Sequence, residues 1–359
     1  MNGLSSDARA MLQLAVLAVG LALGTAVAAE PGNYVVHNLV SNQPGVADNT
    51  DPNLKNAWGI VFGTTNPVWV ADNATGVSTV YNGDGTPFLA GNPPQPLVVT
   101  IPGGAPTGIA FNPSASDFLI SGPGTAARFL WATENGSIAA WNGGPAAVIM
   151  PTATSPNAVY KGLAIAGNGG TNFRLYAADF HNGKIDVFDT NFMPATASGG
   201  FIDQKIPAGF SPFNIVNIQG MLYVAYAKKE QDGDDEVAGA GLGFVDAFDA
   251  EGNLVERVAA GGKLNAPWGM ALAPAGFGKF SHMLLVGNFG DGTISAFDLR
   301  NGTFAGQLRT GNGQVLQIDG LWGIAFGNGF RAQFTDTLFF AAGPNDESNG
   351  LYGMIESAP

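Results

Sequence analysis

The sequence predicts an all-β fold: a six-bladed β-propeller of four-stranded antiparallel blades, its ring closed by the N-terminal strand. Three observations lead there. A motif recurs about every fifty residues, its runs of β-branched and aromatic residues are short and broken by Gly, Asn and Asp, and helical periodicity is missing after the N-terminus.

The first repeat reads Ala57-Trp58-Gly59-Ile60-Val61-Phe62, Val68-Trp69-Val70-Ala71-Asp72 and Gly76-Val77-Ser78-Thr79-Val80-Tyr81. Its Gly59 marker returns as Gly108, Gly162, Asn214, Gly269 and Gly323, giving steps of 49, 54, 52, 55 and 54 residues, the period of a propeller blade. The fourth copy is the most divergent and carries a long insertion between its second and third strands. Fourth strands are expected at Leu97 to Ile101, Ala147 to Met150, Phe201 to Ile206, Leu254 to Val258 and Phe304 to Leu308. After the third strand of the sixth copy no such segment follows. Residues 34–40 alternate as a strand, and the expectation is that they complete the last blade and remove an exposed edge.

Ahead of the repeats, Arg9 precedes a largely apolar run from Met11 to Leu23 and the small residues Thr25 to Ala29. That order is expected of a secretory signal peptide, residues 1–28, leaving residues 29–359 as one secreted or periplasmic domain with no membrane span after cleavage. The chain has no cysteine, so disulfides, thiolate metal sites and cysteine nucleophiles are excluded. A net charge of −13 argues against nucleic acid as a partner and favours a soluble monomer that meets cations, a small ligand or a basic protein.

The runs Pro106-Thr107-Gly108-Ile109-Ala110, Leu175-Tyr176-Ala177-Ala178-Asp179 and Val187-Phe188-Asp189 resemble, in degraded form, the motif of the NHL class of propeller repeats. The chain after the leader is also similar to an uncharacterised bacterial exported family associated with PEP-CTERM proteins, through Asn53 to Ile60 and Asp235 to Gly241. Both resemblances imply the propeller; NHL-like propellers include binding modules and enzymes, so neither implies one activity.

In a propeller the start of the inner strand and the end of the second strand share one face. Trp58, Lys161, Trp268 and Trp322 are thereby expected at the channel mouth with Asp72, Asp179 and Asn288, where aromatic faces and polar groups would hold a small polar ligand. Alternatively the tryptophans seal the hub, and the Asp and Asn side chains tie down turns through backbone N–H groups. His181, two residues after Asp179, is the one histidine placed to share a ligand with a carboxylate. The insertion supplies Asp232, Asp234, Asp235 and Glu236, hard oxygen ligands of the kind Ca²⁺ takes, although their spacing is not that of an EF-hand and a solvated acidic loop would look the same. No His-Glu-x-x-His, Gly-x-Ser-x-Gly or phosphate-loop motif is present. The leading expectation is a noncatalytic binding or scaffold module; the alternatives are a channel-centred metal-assisted hydrolase, lactonase or lyase, and a structural role in the envelope.

Overall fold

Short alternating runs bounded by Gly, Asn and Asp fold as expected: the computed structural model is all-β, with two single-turn 3₁₀ segments, Asn73–Thr75 and Gly278–Phe280. It describes residues 33–120, 125–152, 154–168, 171–231 and 233–358. The expected signal peptide lies outside them. Among the described residues no helix is long and apolar enough to cross a membrane.

The inner strands of the six blades are Ala57–Phe62, Pro106–Phe111, Tyr160–Asn168, Phe210–Ile218, Pro267–Leu272 and Leu321–Phe326. Each packs against the next, and the sixth against the first, so the ring is closed. Tyr34–Ser41 pairs antiparallel with Leu351–Ser357, from Tyr34 opposite Ser357 to Ser41 opposite Leu351, and supplies the outer strand of the sixth blade. Tyr34, 1 % exposed, locks this strand further by donating its hydroxyl to the Phe277 carbonyl at 3.0 Å.

Blades one, two, four and five each carry four antiparallel strands, and the sixth carries four with the two-residue strand Asn49–Thr50 added parallel to Tyr34–Ser41. The third differs, because Tyr160–Asn168, Thr171–Asp179 and Lys184–Phe188 form a three-stranded ladder and the expected strand at 201–206 is a run of turns. Side-chain packing takes the place of a ladder there: Phe201 sits 5.6 Å from Tyr176 and 5.3 Å from Phe248, centroid to centroid, wedged between blades three and four.

Apolar residues on both faces of each blade make one cluster per gap between blades, as radial packing requires. A seventh cluster closes the hub. The marker glycines serve that closure. A Cβ on Gly108 would lie 2.4 Å from the Leu163 nitrogen, and one on Gly269 2.5 Å from the Trp322 oxygen, so neighbouring inner strands touch backbone to backbone.

Candidate functional site

Every inner strand breaks register with its partner at the marker. The irregularities fall between Ala57 and Ile60, Tyr160 and Gly162, Pro212 and Asn214, Pro267 and Met270, and Leu321 and Ile324, and opposite Trp131 to Thr133 in the second blade. A bulge re-aims the unpaired side chain. Here it brings Trp58, Phe213, Trp268 and Trp322 into the hub cluster, with Phe180 and the half-buried Phe289.

The hub is a stack. Trp58 and Trp322 lie 3.7 Å apart between centroids at 24°, Phe289 covers Trp322 at 3.9 Å, and Trp268 meets both indoles edge-on at 6.2 and 5.6 Å. Trp268 donates Nε1–H to the Lys161 carbonyl at 3.0 Å, and Trp322 donates to Asn56 Oδ1 at 3.2 Å. The Trp58 Nε1–H, by contrast, has no acceptor although the residue is 2 % exposed. Below the stack, Ile60, Ile109, Leu163, Val216, Met270 and Ile324, one from each blade, narrow the channel to a space of about 50 Å³. The tryptophans therefore seal the hub and also floor what lies above it.

Above them is a cup of about 280 Å³. At its centre is the Lys161 ammonium, its side chain 2 % exposed, 3.0 Å from Asp235 Oδ1, 3.3 Å from Glu134 Oε1 and 3.9 Å from Glu236 Oε2. It also lies 5.2 Å from the Trp58 ring centroid and 5.7 Å from that of Phe180. Burial alone would lower the lysine pKa, but Glu236, Glu134 and Asp235 together hold it above its ordinary value. Glu236, with a side chain only 8 % exposed, is pushed up to about 7 by burial, which Lys161 only partly offsets.

Glu347 completes the wall. It belongs to a turn in which Asn345, Asp346 and Glu347 have φ of +60°, +46° and +60°, a left-handed run of non-glycine residues that costs free energy and occurs where function or tight packing demands it. Burial raises its pKa, against side-chain hydrogen bonding from Asn56 and Trp322 and the charge of Lys161, while its Oε1 atom is buried with no donor in reach.

Of the residues expected at the mouth, Trp58, Lys161 and Trp322 line this cup, with Asp235 and Glu236 from the insertion. Trp268 lies beneath them. Asp72, Asp179 and Asn288 are not brought to it. Asp72 Oδ2 accepts from the Thr79 N–H at 2.9 Å, in a site whose burial raises its pKa well above normal. Asp179 accepts from the N–H of Val159 and of Asn182, and Asn288 is held by the Asn265 N–H, the Lys263 carbonyl and Thr293. Asp179 and Asn288 tie loops to strands, whereas Asp72 joins two neighbouring strands and keeps its Oδ1 buried without a partner.

The cup is lined instead by the residues that follow such positions: Asn73, Glu134 and Phe289 come directly after Asp72, Thr133 and Asn288. In a strand successive side chains alternate sides, so the expected ring was displaced by one residue. Asn56 and Glu347, in loops without a repeat position, carried no sequence signal.

The described carboxylates of the insertion, Asp234, Asp235 and Glu236, do not converge on one point. His181 Nδ1 lies 2.5 Å from Asp234 Oδ1, Asp235 and Glu236 face Lys161, and Asp232 lies outside the described residues. No group of three or more His, Asp or Glu residues among the described residues is arranged to hold a metal. The cation that Asp235 and Glu236 meet is the ammonium of Lys161.

No protein-family profile matches the chain. Among solved structures it is similar to a protein of unknown function from Bacteroides thetaiotaomicron, with a TM-score of 0.56 and 12% identity over 90% of this chain and 76% of that one. It is also similar to a glucose dehydrogenase, with a TM-score of 0.53 and 12% identity over 90% of this chain and 99% of that one. At that identity the likeness shows the propeller fold alone. The chain is 35% identical to "Uncharacterized protein R648" of Acanthamoeba polyphaga mimivirus over 90% of its length and 80% of the relative's. It is equally identical to "Uncharacterized protein L690" of the same virus, over 90% of this chain and 85% of that one. A propeller of this sequence, so alike over nine-tenths of its length, belongs to the family of these two viral proteins.

Proposed function

We propose that the protein is an exported binding module that takes a small polar ligand into the cup above the sealed hub. The observation that carries this reading is electrostatic. Glu134, Asp235, Glu236 and Glu347 surround one ammonium, so the protein supplies less positive charge than the cup can accept. A half-enclosed acidic site of low dielectric favours a cationic guest.

Ligand-observed NMR with a mixture of small cationic, neutral and anionic compounds tests it. Cationic hits that vanish on Glu134→Arg are expected; no hits, or hits indifferent to that substitution, sink the reading.

One observation favours a second reading. Glu236, held to about 7 beside Lys161, has the proton affinity of a general acid–base group near neutral pH. The matching activity would be a hydrolase, lactonase or lyase working at the channel. Turnover of ester, lactone or uronate substrates that Glu236→Gln reduces at least a hundredfold would establish it, and a blank screen would leave the binding module.

A further inference from the structure

We infer that the ligand of the cup is an amino alcohol, a molecule carrying both an ammonium and a neutral oxygen, of which a hexosamine is one. The inference rests on the cup being a ligand site, and it comes from two polar atoms at the hub with no partner.

The first is a donor. Of the three hub indoles, Trp268 and Trp322 have their N–H groups bonded, whereas the Trp58 Nε1–H is buried and unpaired in a residue that lines the cup. Among the described residues Trp69, Trp131, Asp72, Thr79, Asn82, Tyr226, Ser295 and Tyr352 also hold a buried polar atom without a partner, but none of them lines the cup. The second is an acceptor, Glu347 Oε1, buried and unpaired on the same cup and carried by the left-handed turn. Buried polar groups are nearly always satisfied, so a donor and an acceptor left open in one cup describe a guest with the complementary pair.

The chemistry of that guest is restricted further. An anionic acceptor for Trp58 would meet the carboxylates of Glu134, Asp235 and Glu236, so the acceptor must be a neutral oxygen. A donor for Glu347 gains most when it is charged, which makes it an ammonium. The half-buried Phe289 ring presents an apolar surface for the C–H face of a small ring, and about 280 Å³ suits one such ring rather than a chain.

Calorimetric titration of the purified protein at pH 7 with glucosamine, glucose and cyclohexylamine separates the contributions. Glucosamine is expected to bind at least tenfold more tightly than either of the others. Trp58→Phe, which keeps an aromatic ring and removes the N–H, should erase its advantage over cyclohexylamine. Glu347→Gln should erase its advantage over glucose.

Cyclohexylamine binding as tightly as glucosamine would overturn the need for a hydroxyl, and glucose binding as tightly would overturn the need for an ammonium; the cup would remain a ligand site in both cases. No binding of any of the three overturns the inference, and the NMR mixture then decides the cup itself. If a variant does not fold, the comparison of the three probes on the unmodified protein still decides.

Discussion

Lys161 is the residue on which the mouth turns, because its ammonium is nearly inaccessible while the carboxylates around it differ in exposure. Asp235 is largely exposed and Glu134 about a third exposed, but Glu236 is buried. Replacing the ammonium leaves Glu236 as an unpaired buried charge, which typically costs about 3–5 kcal/mol. Glu236 escapes that cost by taking a proton. Lys161→Met should therefore lower stability by about 3 kcal/mol at pH 8 and by much less at pH 5, as measured by urea denaturation at the two pH values. The side chain was legible in the sequence as a lone cation at the position before the marker. Its partners were not: Glu134 and Glu347 have no counterpart in the repeat, and alternation hid Asn73 and Phe289 behind the more regular Asp72 and Asn288.

At the scale of the element, the bulged inner strand explains why the repeat could be read at all. Its glycine is fixed by contact with the next blade's backbone, and the residue before it is released toward the hub, so both recur along the chain. Gly108→Ala should cost more than 2 kcal/mol, since the rigid Leu163 backbone 2.4 Å from the new Cβ cannot retreat. Gly311, with nothing within 4 Å and no left-handed φ, is the control. Gly311→Ala should change the denaturation midpoint by less than about 0.5 kcal/mol in equivalent free energy. The outer strands were less legible for the same reason. They touch no hub, so no residue at 201–206 is held to ladder pairing, and Phe201 fills its gap as part of a turn.

Across the whole molecule, several carboxyl groups share an unusual sign. Burial, the largest cause in each case, raises the pKa of Asp72, Asp179 and Glu347, and lifts Asp246 to about 6 and Glu236 to about 7. Their folded pKa values exceed the unfolded ones, so their contribution to stability is full below about pH 4 and is lost as pH rises through 6 and 7. Asp84, Asp249 and Asp298 are shifted down and act oppositely, but only in more acidic solution. The urea midpoint should thus fall between pH 5 and pH 8. Self-repulsion from a net charge of −13 adds to that fall and is screened by salt, whereas the buried groups respond little. At 0.5 M NaCl most of the fall should persist, and Glu236→Gln should reduce it.

The pairing of Tyr34–Ser41 with Leu351–Ser357 also sets an order of events. Blades one to five are each built from consecutive segments and can assemble as the chain emerges. The first strand has no antiparallel partner until the third strand of the sixth blade exists, so the ring can close only after Leu351–Ser357 has been made. Until then the chain is an open arc with a free strand edge at one end and a half-covered apolar gap at the other. A carrier that binds that strand would keep the arc from closing.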